Sequence, residues 1–319
     1  SLWDGTEEIK ERLGWLTITD KMLECTADLE RFAAHVKDSG IKHALLCASA
    51  GVLPMNEVYA QAFGAAPGYP NLTTVAAERV DTLTSVDPDT LVILVGKSAT
   101  SPLVVKGFEH IWKLLPKADH YVVATDEGTE LAQLAKQRGF RRVFLNAQDV
   151  AGNFGALSYL ALTSAAVIGV DVERILNRAE HVVQDSVPLI QPADNAGAWF
   201  AAILGEAAAA KRKIGVICSP AISNFGRWAA AIANGAGLPA EALQDLSSLG
   251  SDHLVVYVRL GSDLDAAVQT LQETGQPVVT FTLRDKFDLG QEFFRWQFAT
   301  ALGAAILGQN PFRGPVPSR

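Results

Sequence analysis

TLVILVGKSATSPLVVKGF, residues 90–108, decides the fold class. It begins with an unbroken run of Leu, Val and Ile, the pattern of a strand covered on both faces rather than of one with a wet side. The run passes through Gly96-Lys97-Ser98-Ala99-Thr100-Ser101, a patch of small hydroxyls beside one lysine, and then resumes an apolar pattern.

The same kind of run recurs along the chain. It is seen in KHALLCAS (42–49), HYVVATD (120–126), RRVFLN (141–146), KIGVICS (213–219), HLVVYVRL (253–260) and PVVTFTL (277–283). Helical patterns lie between. In GTELAQLAKQRG (128–139), Leu131, Leu134 and Ala135 share a face, and Gly139 is the expected C-terminal cap. Strands alternating with helices imply a doubly wound α/β fold with parallel sheets.

The strand signals form two groups, separated by a stretch from Ala156 to Ala210 that contains no good strand. Two α/β subdomains are therefore expected, residues 1–180 with connecting helices and residues 181–319. QPADNAG (191–197) is expected to start a helix at the head of the second. From Gly290, QEFFRWQFATALGAAILGQNPF reads as one long buried helix ending before Pro311 and packing back on the first subdomain, followed by an extended tail, RGPVPSR.

Composition narrows the function. The 319 residues are 49% hydrophobic and 19% charged, which excludes a disordered chain, and no apolar run approaches the roughly 20 residues of a bilayer span. A net charge of −8 leaves no basic footprint for nucleic acid or an anionic membrane. Cys25, Cys47 and Cys218 are too few and too scattered for a disulfide framework or a zinc spacing, and the six histidines form no HxxxH pair. A reducing, cytoplasmic setting with no metal or cofactor is expected. Ser1-Leu2-Trp3-Asp4 carries no signal-peptide pattern and no start methionine, as in a processed or excised chain.

In open α/β sheets, ligands sit at the carboxyl ends of strands. At such a place Lys97 supplies a charge, and Ser98, Thr100 and Ser101 supply hydroxyls able to wrap phosphate oxygens. The same residues are also ordinary helix caps, and spacing alone leaves both readings open. CASAGVLP (47–54) offers Ser49, Gly51 and small neighbours, which suit close backbone approach or tight packing equally. It lacks both nucleotide-binding glycine patterns. In ATDEGTELAQLA (124–135), either Asp126 or Thr129 can cap the helix, and Asp126 could also face a cleft. Gly152 and Asn153, in NAQDVAGNFGALSYL (146–160), stand in a polar loop that could close over a ligand or be a plain connection. Ser219, Ser223, Asn224 and Arg227 read as helix capping, and His253 as a structural histidine opening a strand.

Five stretches carry a family resemblance: RLGWL (12–16), GKSATS (96–101), ATDEGTELAQLAKQRGFRRVFLN (124–146), ALSYLALTSAAVIGVDVERIL (156–176) and DLGQEFFRWQFATALGAAILGQNPF (288–312). Together they resemble the phosphoglucose isomerase family, whose fold is a pair of flavodoxin-like sugar-isomerase (SIS) subdomains. The likeness is greatest to the isomerase half of bifunctional transaldolase/glucose-6-phosphate isomerases. It implies a homodimer, a fused or associated transaldolase, and glucose 6-phosphate or fructose 6-phosphate as ligand.

The resemblance carries Lys97, Ser98, Thr100 and Ser101 over from a phosphate loop of the form S-K-[ST]-x-T-T. It does not carry the catalytic groups. The family's G-x-G-G-S loop corresponds to Cys47-Ala48-Ser49-Ala50-Gly51, without the terminal serine, and its G-G-R-[YF]-S loop to Ala151-Gly152-Asn153-Phe154-Gly155, with an amide for the arginine. Its glutamate segment, E-S-x-G-K, corresponds to Asn234-Gly235-Ala236-Gly237, and its D-Q-P after N-P-F to Arg313-Gly314-Pro315, with no later lysine.

Aldose–ketose isomerisation needs a carboxylate base and a cation near the enediolate, each worth about 10²–10⁴ in rate. Their loss implies a sugar-phosphate-binding domain with a degenerate site. The alternatives are an active isomerase using replacement groups and a purely structural, oligomerising domain.

Overall fold

The computed structural model describes residues 7–98, 100–186, 195–247 and 249–312. The chain forms two compact units, Glu11–Leu176 on one hand and Asn177–Arg319 with Ser1–Lys10 on the other. A short helix, α1 (Glu7–Lys10), belongs to the latter.

In Glu11–Leu176, helices α2 (Ile18–Leu23) and α3 (Thr26–Asp38) lead into β1 (His43–Ala48), α4 (Leu53–Phe63) and β2 (Asn71–Ala76). Then come β3 (Thr90–Gly96), α5 (Ser101–Leu114), β4 (Tyr121–Asp126), α6 (Glu130–Arg138) and β5 (Arg142–Asn146). Helices α7 (Tyr159–Val167) and α8 (Val172–Asp185) follow, α8 carrying the chain into the other unit.

The five strands are parallel, in the order β2-β1-β3-β4-β5. Every residue of β3 and β4 is buried, as their unbroken apolar runs predict. On one face Val92, Leu94 and Val123 pack with Val104, Phe108 and Leu131 in a single cluster. Helix α6 ends at Gly139, whose φ of +66° is the left-handed cap expected there.

The other unit contains α9 (Ala196–Ala209), β6 (Lys213–Cys218), α10 (Ser223–Gly235), β7 (Ala240–Ala242), β8 (His253–Arg259), α11 (Asp265–Glu273), β9 (Val278–Thr282) and α12 (Leu289–Ile306). Its parallel sheet runs β7-β6-β8-β9. Asn195 caps α9, its side chain accepting from the Ala198 amide at 2.9 Å, so the predicted helix start holds at Asn195; residues 191–194 lie outside the described residues.

The long C-terminal helix is present and packs on α9 and α10 of its own unit. It stops at Ile306 instead of just before Pro311. Gly308, at φ +65°, reverses the backbone, and its amide and that of Gln309 satisfy the carbonyls of Ala305 and Ala304. The tail expected to be extended, 313–319, lies outside the described residues.

Strands β2 and β7 are absent from the sequence reading. Both are edge strands: NLTTVA alternates in burial and AEA is only three residues long, so neither shows the continuous apolar run of a central strand. No helix among the described residues is long and apolar enough to cross a membrane.

Candidate functional site

The order β2-β1-β3 has the chain leave β1 in one direction and return on its other side. This places a topological switch point, the usual ligand crevice of such sheets, at the carboxyl ends of β1 and β3. Parallel register then dictates the neighbours. Ala48 pairs with Val95, Gly96 with Thr125, and Asp126 with Asn146. The next residues along, Ser49, Lys97 and Ala147, therefore emerge on the same edge of the sheet.

The loop 97–101 is bound inward. Lys97 Nζ donates to Asp126 Oδ1 at 2.7 Å and to the carbonyls of Ala147 and Gln148 at 3.3 and 3.2 Å. Ser98 donates to Asp126 Oδ2 through its amide at 3.1 Å and its hydroxyl at 2.8 Å. The Lys97 side chain is 12% exposed and that of Asp126 only 1%. Thr100 closes the turn on itself, its hydroxyl accepting from the Lys97 amide at 3.1 Å and donating to the Lys97 carbonyl at 3.3 Å. Ser101 is buried, and its Oγ accepts from the Leu131 amide at 2.9 Å, serving the start of α6. Ala99 lies outside the described residues.

Across the switch point, Ser49 is 3% exposed and its carbonyl accepts from the amides of Val52 and Leu53, opening α4. Its hydroxyl is buried without a hydrogen-bond partner. Such a group is costly to leave unmet, and Thr19 and Thr163 carry hydroxyls in the same condition. Gly51 is exposed, and a Cβ there would meet nothing within 4 Å, so tight packing does not account for it. The adjacent Ala50 amide donates to Glu78 Oε1 at 3.2 Å. Cys47, buried just upstream, has its thiol pushed up to about 12 by burial and by the Glu78 charge, and is a packing residue.

The loop 147–155 meets both. A Cβ at Gly152 would lie 3.2 Å from Lys97 Cγ and 3.6 Å from Val52 Cγ2, so this loop touches the lysine stem and the loop after β1. Gly152 opens a 3-10 turn, Gly152–Phe154, in which Asn153 is half-buried. The turn is held from the N-terminal side by the RLGWL segment. The Gly14 amide donates to the Asp149 carbonyl at 2.9 Å, Leu13 bridges Val150, and the Trp15 ring lies 5.2 Å from that of Phe154.

The structure thus sets Gly152 against Lys97 and against Val52 of the loop that Ser49 opens. Asp126, read from sequence as a possible cap, is the centre of the loop's polar contacts, while Thr129 caps α6 by accepting from the Ala132 amide at 3.1 Å. Glu78 gave no sequence signal. A cleft of about 310 Å³ opens beside Ser98 and Ser101, but its other wall carries Glu127 and Glu130, which repel an anion. His253, in the other unit, is buried between Glu241 and Asp252, in keeping with its structural reading.

No protein-family model matches the chain. Over 96 residues it is 32% identical to a glucose-6-phosphate isomerase of a Cyanothece species, covering 28% of this chain and 18% of that protein's length. Among solved structures, a hypothetical protein from Thermus thermophilus matches with a TM-score of 0.79 at 19% identity, covering 97% of this chain and 88% of the other. A glucose-6-phosphate isomerase from Chlamydia trachomatis matches with a TM-score of 0.75 at 14% identity, covering 91% and 70%. The fold is that of glucose-6-phosphate isomerase. The two parallel sheets covered by helices are its SIS-type, flavodoxin-like subdomains.

Within this fold, the segment Asn234–Gly237 closes α10. The Asn234 side chain donates to the Ala240 carbonyl at 3.0 Å, and Gly237 turns at φ +87°. The segment carries no carboxylate. Arg313-Gly314-Pro315 lies outside the described residues.

Proposed function

We propose that residues 11–176 bind a sugar phosphate at the carboxyl ends of β1 and β3, without interconverting its aldose and ketose forms. The observation that supports this reading is that the loops after β1, β3 and β5 leave the same edge of the sheet and meet through Val52, Lys97 and Gly152, with a buried hydroxyl without a partner on Ser49. Lys97 supplies the charge for a phosphate, Ser98 and Thr100 the hydroxyls, and Ser49 a further donor. Ser101 lies behind the loop and holds α6 in place.

Ligand names support the choice of substrate class. The sequence relative and one structural neighbour are glucose-6-phosphate isomerases, so glucose 6-phosphate and fructose 6-phosphate are the first ligands to test. The absence of turnover rests on residue types. Asn153 stands where the resemblance calls for a guanidinium, and 234–237 offers no general base. A transaldolase partner and a homodimer belong to the same reading and rest on the sequence resemblance alone.

Thermal shift with each sugar phosphate, beside a coupled assay for fructose 6-phosphate formation, tests this. Ligand at 100 times Kd stabilises by about 2.7 kcal/mol, a rise of several degrees in Tm. A shift without turnover is the expected result. Turnover at ordinary enzymatic rates overturns the degenerate-site reading, and no shift with either ligand leaves the structural, oligomerising reading.

A further inference from the structure

The donors around Asp126 have the composition of an anion site that is already filled. One ammonium, one backbone amide and one hydroxyl converge on a single carboxylate, at 2.7, 3.1 and 2.8 Å. These are the three kinds of donor that hold a phosphate group. The carboxylate is 1% exposed, so it meets these donors rather than water. The three hydrogens of the Lys97 ammonium are all assigned, one to Asp126 and two to the carbonyls of Ala147 and Gln148.

The charge balance follows. Lys97 and Asp126 cancel, Lys21 pairs with Asp149 at 3.6 Å in the cleft it shares with Glu127 and Gln148, and Glu78, Glu127 and Glu130 add negative charge. A phosphate dianion arriving at the loop therefore meets no net positive charge until the pair opens. Opening is geometrically available, because Lys97 reaches Asp126 along a flexible stem that also borders Gly152 at the switch point.

We propose that Asp126 is the residue that sets how strongly this site holds phosphate, acting as a resident carboxylate that competes with the ligand for Lys97 and Ser98. The inference rests on the reading that the loop 97–101 takes a sugar phosphate. In the free protein the loop is closed on Asp126. In the complex, Lys97 Nζ and the Ser98 donors transfer to phosphate oxygens, and the cost of leaving Asp126 lowers the affinity. Glu78 on the Ala50 amide is a second, weaker competitor across the switch point, weaker because it is exposed and makes one contact.

Calorimetric titration of fructose 6-phosphate into the wild-type chain, D126N, and the double variant K97M/D126N tests the idea. D126N should bind at least about tenfold more tightly, since a charge-assisted contact no longer has to be broken, and K97M/D126N should lose binding. E127Q, which removes a cleft-wall charge that does not touch the lysine, gives the general charge effect alone and should tighten binding by only about twofold.

D126N affinity that is unchanged or weaker, in a variant that still unfolds in one cooperative step above the assay temperature, overturns the proposal while sugar-phosphate binding itself stands. An equal gain in E127Q overturns it too, by reducing the effect to general charge. If neither the wild type nor D126N binds, both readings fall. Should D126N not fold, D126T removes the same charge and leaves an acceptor for the Ser98 amide. A structure of the wild type with fructose 6-phosphate reads the point without substitution: bound phosphate with the Lys97–Asp126 pair intact overturns the proposal.

Discussion

Each parallel sheet ends in a charged pair, and the two pairs are built on different terms. In residues 11–176, Lys97 and Asp126 join the ends of two strands 29 positions apart and are 12% and 1% exposed. In the other unit, Arg259 and Asp265 are six residues apart, meet at 2.7 Å, and are 33% and 38% exposed. Hydrogen bonds from Arg259 hold the Asp265 carboxyl below its ordinary value, and Tyr257 adds one at 3.2 Å. The first pair is a cross-sheet tie largely shielded from water. The second is a local contact that water can replace. Removing one partner should matter in the first sheet and hardly at all in the second.

The largest expected effect is the loss of a single member of the buried pair. K97A leaves Asp126 charged and without its cation, held only by the Ser98 donors, at a cost of about 3–5 kcal/mol, while K97M/D126N should recover most of it, because a buried pair adds little net stability over neutral groups. Urea unfolding of the two variants reads the difference. Equal losses in both would show that the ion pair is not what the lysine contributes.

A parallel follows for the two serines. Ser101 Oγ accepts from the Leu131 amide at 2.9 Å, and Ser219 Oγ accepts from the Leu260 amide at 2.9 Å, both residues being buried, Ser101 as the first of α5 after β3 and Ser219 directly after β6. S101A and S219A each strand a backbone donor and should cost about 1–3 kcal/mol. Here the two sheets should behave alike. A large loss in one and none in the other would break the equivalence of the two strand-end designs.

Acid sensitivity should be smaller and should come from the second unit. Burial pushes the Asp288 carboxyl up, but the hydrogen bonds and charge of Arg284 and the charge of Arg178 outweigh it and hold it below the ordinary 3.8. Arg284 reaches it at 2.8 and 2.9 Å, and Arg178 lies 3.4 Å away. A depressed carboxylate stabilises the fold above its unfolded value, and that stability is lost as pH falls through the folded value. D288N should therefore flatten the acid limb of stability against pH by up to one proton, about 1.4 kcal/mol per pH unit. An unchanged limb would place acid sensitivity elsewhere. The smallest effect is expected for R259M, whose melting curve should overlay the wild type. A clear loss would show that the exposed pair is as structural as the buried one.

The strands that were legible are the ones the sheets bury. TLVILVG and YVVAT are covered on both faces, so their apolar runs could hardly be anything else, whereas NLTTVA and AEA lie at edges and carry little of that signal. The site was half legible. Lys97, Ser98 and Thr100 were visible as a polar patch after a strand, and Gly152 as a loop glycine. That Asp126 faces Lys97, that Glu78 reaches the Ala50 amide, and that Ser101 serves α6 depend on contacts 28 to 30 residues apart, for which a single chain has no local mark.

Sequence by itself determined the class of fold, the two groups of parallel strands and the position of the hydroxyl-rich turn, because burial on both faces and helical spacing are periodic properties written residue by residue. Only the tertiary structure decided what GKSATS does at rest. Parallel register sets the end of β3 beside the end of β4, and a carboxylate removed from water takes the nearest cation and amide. The loop that looked like an open cradle for phosphate is, in the folded chain, held closed by an anion of its own.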